Sequence, residues 1–321
     1  MQNPPTTGPF DDHCDHSAAY QRWLAGGERA PFTISTASGD VLVSVFVRRR
    51  GQGPIITLIH GFPSSSWDWQ LLEDALATTS TVVSLDLLGY GSTDKLARHT
   101  YSCGGHADII EAVWRRLGIA ETALVGHDIG GMIVQEFLDR ANNGRLEVTL
   151  TNATVINSAL FAEHYQPVLI TRLMARRHVG RVLGRLMNAE RFALSLRRTF
   201  ASEHQPTSGY LAQVWDNLNR AAPQSHLPAL LHYISDKKRN RQRWEHATET
   251  THVPLQVIWG LADTALSPAI VTDIREHLPQ TTITTLADVG HFPHLETPSV
   301  VTELLTTFTS VHTANRPGTH R

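Results

Sequence analysis

Cysteine is almost missing from this chain, with Cys14 and Cys103 the only two. Cys14 lies in the stretch MQNPPTTGPFDDHCDH, read as a flexible tail over residues 1–16. A structural disulfide is therefore not expected, and a reducing, cytoplasmic setting is. The same stretch has neither a positive n-region nor an apolar h-region, which argues against a secretory leader. No apolar run is long enough to cross a bilayer. A net charge of -2 leaves no basic field of the kind that holds nucleic acid. The pattern HExxH is absent, and the group His13, Cys14 and His16 sits in a Pro- and Asp-rich end too polar to order itself. Neither a metal nor a cofactor is expected. What the chain does have is 321 residues, 41% of them hydrophobic, which suffices for one large catalytic domain with an inserted subdomain or for two small domains.

The order of hydrophobic patterns separates those two layouts. Val41–Val47 is a β-branched strand, and Ile55–Ile59 and Thr81–Leu85 are continuous apolar runs of strand length, as in a parallel sheet covered on both faces. Helical spacing lies between them, over Trp69–Ala77 and over Ala107–Leu117, where Ile109, Ile110, Val113, Trp114 and Leu117 share one face. Further strands are read at Thr122–Val125, Val148–Ile156, Pro254–Trp259 and Thr281–Leu286. This alternation predicts a mostly parallel α/β sheet. From about Leu160 to His252 the strands stop and helical spacings recur, as at Val179, Val182, Leu183 and Leu186 or Leu211, Val214, Trp215 and Leu218. The expectation is a core over 17–158 and 251–312, a helical cap over 159–250, and a second tail over 313–321. The arginines between Arg172 and Arg198 are interleaved with the apolar stripe, so they are read as the solvated face of cap helices rather than as a membrane or anion patch.

One turn carries the chemistry. Residues 126–131 read Gly-His-Asp-Ile-Gly-Gly, between the strand Thr122–Val125 and a helical run from Met132. A strand, a turn of small residues around one central side chain, and a helix make a nucleophile elbow, usually with serine at its centre. Here the centre is Asp128. A serine that displaced a group from saturated carbon would be left as an ether, which water does not readily cleave. A carboxylate is left as an ester, whose carbonyl a second step can hydrolyse. Aspartate at this position therefore points away from esterase and peptidase chemistry and toward opening an epoxide or displacing a halide. The competing reading is that Asp128 only caps the helix that follows.

Three further motifs surround it. His60-Gly61-Phe62-Pro63 follows the strand 55–59 directly, Trp259-Gly260-Leu261-Ala262-Asp263 places an acid just past a late strand, and Gly290-His291-Phe292-Pro293-His294 follows the last strand. Together with GHDIGG these resemble the epoxide hydrolase and haloalkane dehalogenase branch of the α/β-hydrolase superfamily, over about Phe32 to Phe308. Within that branch HGFPSSSWDW, DLLGYGSTDK, GHDIGGMIVQEFLDR, LLHYISDKKRNRQRW and PHLETP are similar to the mesoderm-specific transcript-like hydrolases. The resemblance implies an α/β-hydrolase fold and a chain order of nucleophile, acid and base, so Asp128, Asp263 and His291. It also implies an oxyanion hole built from the backbone N–H groups of Phe62 and Ile129. His60 is assigned a structural hydrogen bond within its loop, and His294 a place beside the following helix.

Two activities remain to be separated. Epoxide hydrolases of this branch use cap tyrosines to donate to the epoxide oxygen; Tyr165 and Tyr233 are the candidates, against an ordinary packing role for each. Haloalkane dehalogenases hold the halide with side-chain N–H groups after the nucleophile and after His-Gly, and here those positions are Ile129 and Phe62, which cannot donate from their side chains. Asn157 is left as the one amide candidate. An apolar site lined by Phe62, Trp67, Ile129 and cap residues is expected, taking a small apolar substrate and water. Epoxide hydrolysis leads, with halide displacement second. A hydrolase-fold protein that binds without catalysis is the third reading, disfavoured because an Asp-His-Asp set is costly to keep in an apolar pocket without use.

Overall fold

Two consecutive stretches in which buried residues alternate with exposed ones form the antiparallel pair that opens the sheet: β1, Glu28–Thr36, and β2, Gly39–Arg50. In the computed structural model, which describes residues 10–36, 39–97, 99–161, 163, 173, 177–223 and 226–314, β2 pairs antiparallel with β4, Thr81–Leu85, and every later pairing is parallel. The remaining strands are β3, Ile55–Ile59; β5, Glu121–His127; β6, Thr149–Ile156; β7, Leu255–Gly260; and β8, Thr282–Leu286. Their order across the sheet of eight is β1-β2-β4-β3-β5-β6-β7-β8. β3, β4, β5, β6 and β7 are buried nearly throughout, which is why they read as continuous apolar runs rather than as alternation. β1 was not among the expected strands; its polar outward positions, Arg29 and Thr33 among them, weaken the hydrophobic signal.

Parallel strands need crossovers, and helices supply them. The first half of the chain holds α1, His16–Ala25; α2, Gln70–Leu76, entered through a 3-10 turn at Ser66–Trp69; α3, Cys103–Arg116; and α4, Ile129–Asn142. Ser102 caps α3 by accepting from the Gly105 N–H at 3.1 Å. Residues 10–16 are not the free tail expected of them. The Phe10 ring lies 6.2 Å from that of Phe200, and His16 is buried. Residues 1–9 fall outside the described set.

Between β6 and β7 the described chain is helical: α5, Arg177–Leu186; α6, Ala189–Arg197; α7, Ser208–Asn219; α8, His226–Leu230; and α9, Tyr233–Glu249. After β7 come α10, Ile270–His277; α11, Pro293–Glu296; and α12, Pro298–Ala314. Among the described residues no helix is long and apolar enough to cross a membrane. The helical segment is joined to the sheet layer along α9, which packs on α4. Glu136 of α4 takes hydrogen bonds from Arg243 at 2.5 Å and from the Trp244 indole at 2.8 Å.

Deeper in the same joint Lys237 is fully buried, its ammonium donating to the Leu160 carbonyl at 2.7 Å and to Gln135 Oε1 at 3.0 Å. Both of these acceptors are neutral oxygens. Burial pushes its pKa down to about 7 from 10.5. Between those values the unfolded chain holds a proton that the folded chain does not, so stability rises with pH across the window. Lys237→Met removes the titration at similar volume. Calorimetric melting temperatures should show the native chain gaining on this variant from about pH 7 to about pH 9; a difference that does not change with pH would mean that Lys237 stays charged in the fold.

Candidate active site

Parallel register brings the carboxyl ends of the strands together. Ile59 of β3 lies opposite Gly126 of β5, Ile156 of β6 opposite Ile258 of β7, and Gly260 of β7 opposite Leu286 of β8. The loops that leave those ends carry Phe62, Asp128, Asn157, Asp263 and His291, so motifs more than two hundred residues apart along the chain meet along one edge of the sheet.

Asp128 stands at the turn between β5 and α4 with φ 49 and ψ -113. That left-handed backbone is strained for aspartate. It is held by the Ser158 hydroxyl, which donates to the Asp128 carbonyl at 2.6 Å, and by the Asp128 N–H, which donates to the Ile156 carbonyl at 3.2 Å. The elbow also needs small neighbours. A Cβ on Gly130 would come within 2.3 Å of the Ile59 carbonyl, and one on Gly126 within 2.3 Å of the Gly130 carbonyl. The Asp128 side chain makes no capping hydrogen bond to α4. Its Oδ2 accepts instead from the Phe62 N–H at 2.9 Å. Burial raises its pKa, opposed by His291 and by the N–H groups of Phe62 and Ile129.

His291 faces it from the β8 side, with Nε2 at 4.0 Å from Asp128 Oδ1 and Nδ1 at 2.8 Å from Asp263 Oδ2. Asp263 is fixed in turn by the Ala265 N–H at 2.6 Å, the Leu266 N–H at 3.1 Å and the Asn157 amide at 2.8 Å. Asn157 also accepts from the Gly260 N–H at 2.8 Å. Its amide is therefore committed to the acid, and the expectation that it contacts substrate is corrected: it positions Asp263. Trp67 is corrected as well. Its ring is 1% exposed, stacked 5.3 Å from Tyr210 and flanked by Tyr20 and His16, which makes it a packing residue between α1 and α7.

Tyr233 opens α9 with its ring centroid 6.0 Å from that of Phe62, the residue whose N–H holds Asp128. Tyr165 lies outside the described residues. Tyr210 of the cap donates to Asp68 at 3.0 Å. His60 donates through one ring nitrogen to the Gly61 carbonyl at 2.8 Å and accepts from the Leu87 N–H at 3.0 Å through the other; burial lowers its pKa, so it stays neutral. His294 is buried against the Trp69 ring at 4.4 Å. Among the described residues no group of three or more His, Cys, Asp or Glu is arranged to hold a metal ion.

Three supports of His291 were not among the expected site residues. The His127 ring pairs with the His291 carbonyl at 2.8 Å, and the His291 N–H donates to the Thr199 carbonyl at 2.8 Å. Buried Glu296 takes the Gly290 N–H at 2.8 Å, the Phe292 N–H at 3.1 Å and the Ala201 N–H at 3.1 Å. Only Glu296, an acid just downstream of the histidine motif, could have been suspected from its position.

The comparisons with known proteins agree with this architecture. The family model for the alpha/beta hydrolase fold matches residues 54–298. The chain belongs to the α/β-hydrolase family. The human mesoderm-specific transcript homolog protein is 32% identical over 255 residues, 77% of this chain and 76% of that protein. A putative hydrolase of Mycobacterium tuberculosis, LipZ, is 32% identical over 292 residues, 89% of this chain and 96% of that protein. In three dimensions a thermophilic esterase from Thermogutta terrifontis superposes with a TM-score of 0.73 at 18% identity, covering 89% of this chain and 99% of that one, a likeness of fold. The chain is thus an α/β-fold hydrolase by family.

Charge at His291 gives the site a pH signature. Burial works to lower its pKa, but Asp263, Asp128 and Glu296 outweigh it and raise the value from 6.5 to about 9. A raised folded value means that protonated His291 stabilises the fold fully below the unfolded value and that this is lost as pH rises through the folded one. The melting-temperature advantage of the native chain over His291→Gln should therefore shrink between about pH 6.5 and about pH 9.5. An advantage that grows over that range would mean a neutral His291.

Proposed function

We propose that this hydrolase opens epoxides through a covalent ester on Asp128. The observation that carries the reading is the Asp128 carboxylate itself, buried at the elbow with Oδ2 on the Phe62 N–H and Oδ1 turned toward His291. Oδ1 attacks an epoxide carbon, the carbon–oxygen bond of the ring breaks, and the alkoxide takes a proton from a cap hydroxyl. Tyr233 is the candidate donor among the described residues, because its ring lies against Phe62; Tyr165 is the second candidate. Forming the ester removes the negative charge of Asp128, one of the charges that hold the His291 proton. His291 can then pass that proton, through water, to the tyrosinate left by ring opening, and act as base.

In the second step His291 takes a proton from water, and the hydroxide adds to the ester carbonyl. The oxyanion that forms on Oδ2 is held by the N–H groups of Phe62 and Ile129. Collapse expels the diol, which takes the proton back from His291 and leaves with the original Oδ1, while the oxygen from water remains on Asp128 and its proton passes to His291, restoring the carboxylate and the imidazolium. Asp263 orients the imidazole and stabilises its charged form, and Asn157 holds Asp263 in place. Halide displacement is the second reading, and the commitment of Asn157 to Asp263 leaves it without its amide candidate.

Purified protein should convert an epoxide to a diol and release little halide from chloro- or bromoalkanes. Tyr233→Phe should slow ester formation about 10²-fold. Brisk halide release without diol would reverse the order, and ester hydrolysis that survives Asp128→Ala would sink both readings.

A covalent route also leaves an isotopic trace. After a single turnover in heavy-oxygen water, the label should sit on the peptide that contains Asp128 while the diol carries none of it. His291→Gln should accumulate an alkyl adduct on the same peptide, seen by mass spectrometry. Label found only in the diol, with no adduct in the variant, means direct attack by water.

A further inference from the structure

The cap helix α5 departs from the pattern in which an apolar stripe faces the core, whereas α6 buries Phe192 and Leu196 and leaves Leu194 outside. α5 turns its glycines inward: Gly180 is buried, and a Cβ on Gly184 would stand 3.0 Å from Pro228 of α8. Leu183 and Met187 are partly buried against the core. Val179, Val182 and Leu186 are left outside at 39%, 57% and 56% exposure, and Leu194 of α6 adds a fourth at 55%. Arg185 and Arg191 are exposed on the same two helices, and Arg198 at the end of α6. Arg191 donates to the Leu186 carbonyl at 2.5 Å, which keeps its guanidinium beside that exposed leucine. Residues 172–198 hold eight arginines and one acid, Glu190, in a chain of net charge -2. Arg185, Arg191 and Arg198 are exposed as a solvated face requires, and Val179, Val182, Leu186 and Leu194 beside them are exposed as well.

We propose that α5 and α6 form a docking face for an anionic phospholipid surface. Aliphatic side chains enter the acyl boundary of a bilayer while arginines beside them reach the phosphates, and this surface offers both within two short helices. A nucleic acid would engage the arginines and leave Val182, Leu186 and Leu194 without an apolar partner. A second copy of the same face would set arginines against arginines. The face is also tied to the catalytic edge. Directly after α6 the Thr199 carbonyl accepts the His291 N–H, and the Arg198 carbonyl accepts the Thr264 hydroxyl at 2.7 Å, next to Asp263. Docking there does not depend on the chemistry proposed for Asp128.

Co-sedimentation of the full chain with vesicles tests this, using phosphatidylcholine alone and phosphatidylcholine mixed with phosphatidylserine. The chain should bind the mixed vesicles, bind the neutral ones weakly or not at all, and release as salt rises. Val182→Ser combined with Leu186→Ser should weaken binding about tenfold or more, and Arg185→Gln and Arg198→Gln about fivefold each. These positions are exposed, so the melting temperatures should not change, and a variant that keeps its melting temperature yet loses binding supports the face. Three vesicle results overturn it: no binding to mixed vesicles, equal binding to both kinds, or binding lost with the arginines but untouched by the serines, which marks an anion or nucleic-acid patch. A dimer in sedimentation velocity that Leu186→Ser converts to monomer also overturns it, in favour of a second copy.

Discussion

The site rests on holding one carboxylate out of water in a backbone conformation that aspartate avoids. A positive φ for a non-glycine residue costs about 1–3 kcal/mol, and Asp128 adopts φ 49. The surrounding hydrogen bonds offset that strain: Ser158 and the Gly131 N–H on its carbonyl, and the Ile156 carbonyl on its N–H. The strained turn aims the side chain away from the α4 donors that an N-cap aspartate would use and onto the Phe62 N–H across the β3–β5 boundary. Without the strain, the same residue would be an ordinary helix cap.

The second dependence is charge balance. His291 lies between two carboxylates, one in direct contact and one 4.0 Å away, and its proton is what lets both be buried. An unpaired buried carboxylate would instead tend to neutralise. Asp263 needs three further donors besides His291, and they come from the turn that follows it and from Asn157 at the end of β6. Asp263, His291 and their supports therefore form one hydrogen-bonded unit spanning β6, β7 and β8.

The cap takes part in that unit. After α6 the Thr199 carbonyl accepts the His291 N–H, the Ala201 N–H donates to the Glu296 carboxylate, and Phe200 stacks 4.6 Å from Phe292. At the other end of the cap, Lys237 and Trp244 join α9 to α4. The helical segment is thus fastened to α4 through α9 and to the His291 loop through residues 199–201.

The strands β2 to β8, the tight turn at Asp128, and the positions of Asp263 and His291 beyond strand ends were legible in the chain, because each is a local signal: an apolar run of a given length, glycines around one residue, a polar residue just past a strand end. Local patterns also placed the helical segment between β6 and β7. They misjudged whatever depended on a partner far away in sequence. Asn157 looked like a free amide until Asp263, 106 positions away, was seen to occupy it. Trp67 looked like a pocket wall until Tyr20 and Tyr210 were found around its ring. Phe10 and His16 looked like tail until Phe200 and Thr207 gave them partners. The outward turn of Val182 and Leu186 was equally hidden, since periodicity marks a stripe and not the side it faces. The chemistry open to Asp128 follows from its identity and its turn, which the sequence states. Which polar group each neighbour meets is decided by parallel register and by the packing of cap on sheet, and only the folded chain brings those contacts about.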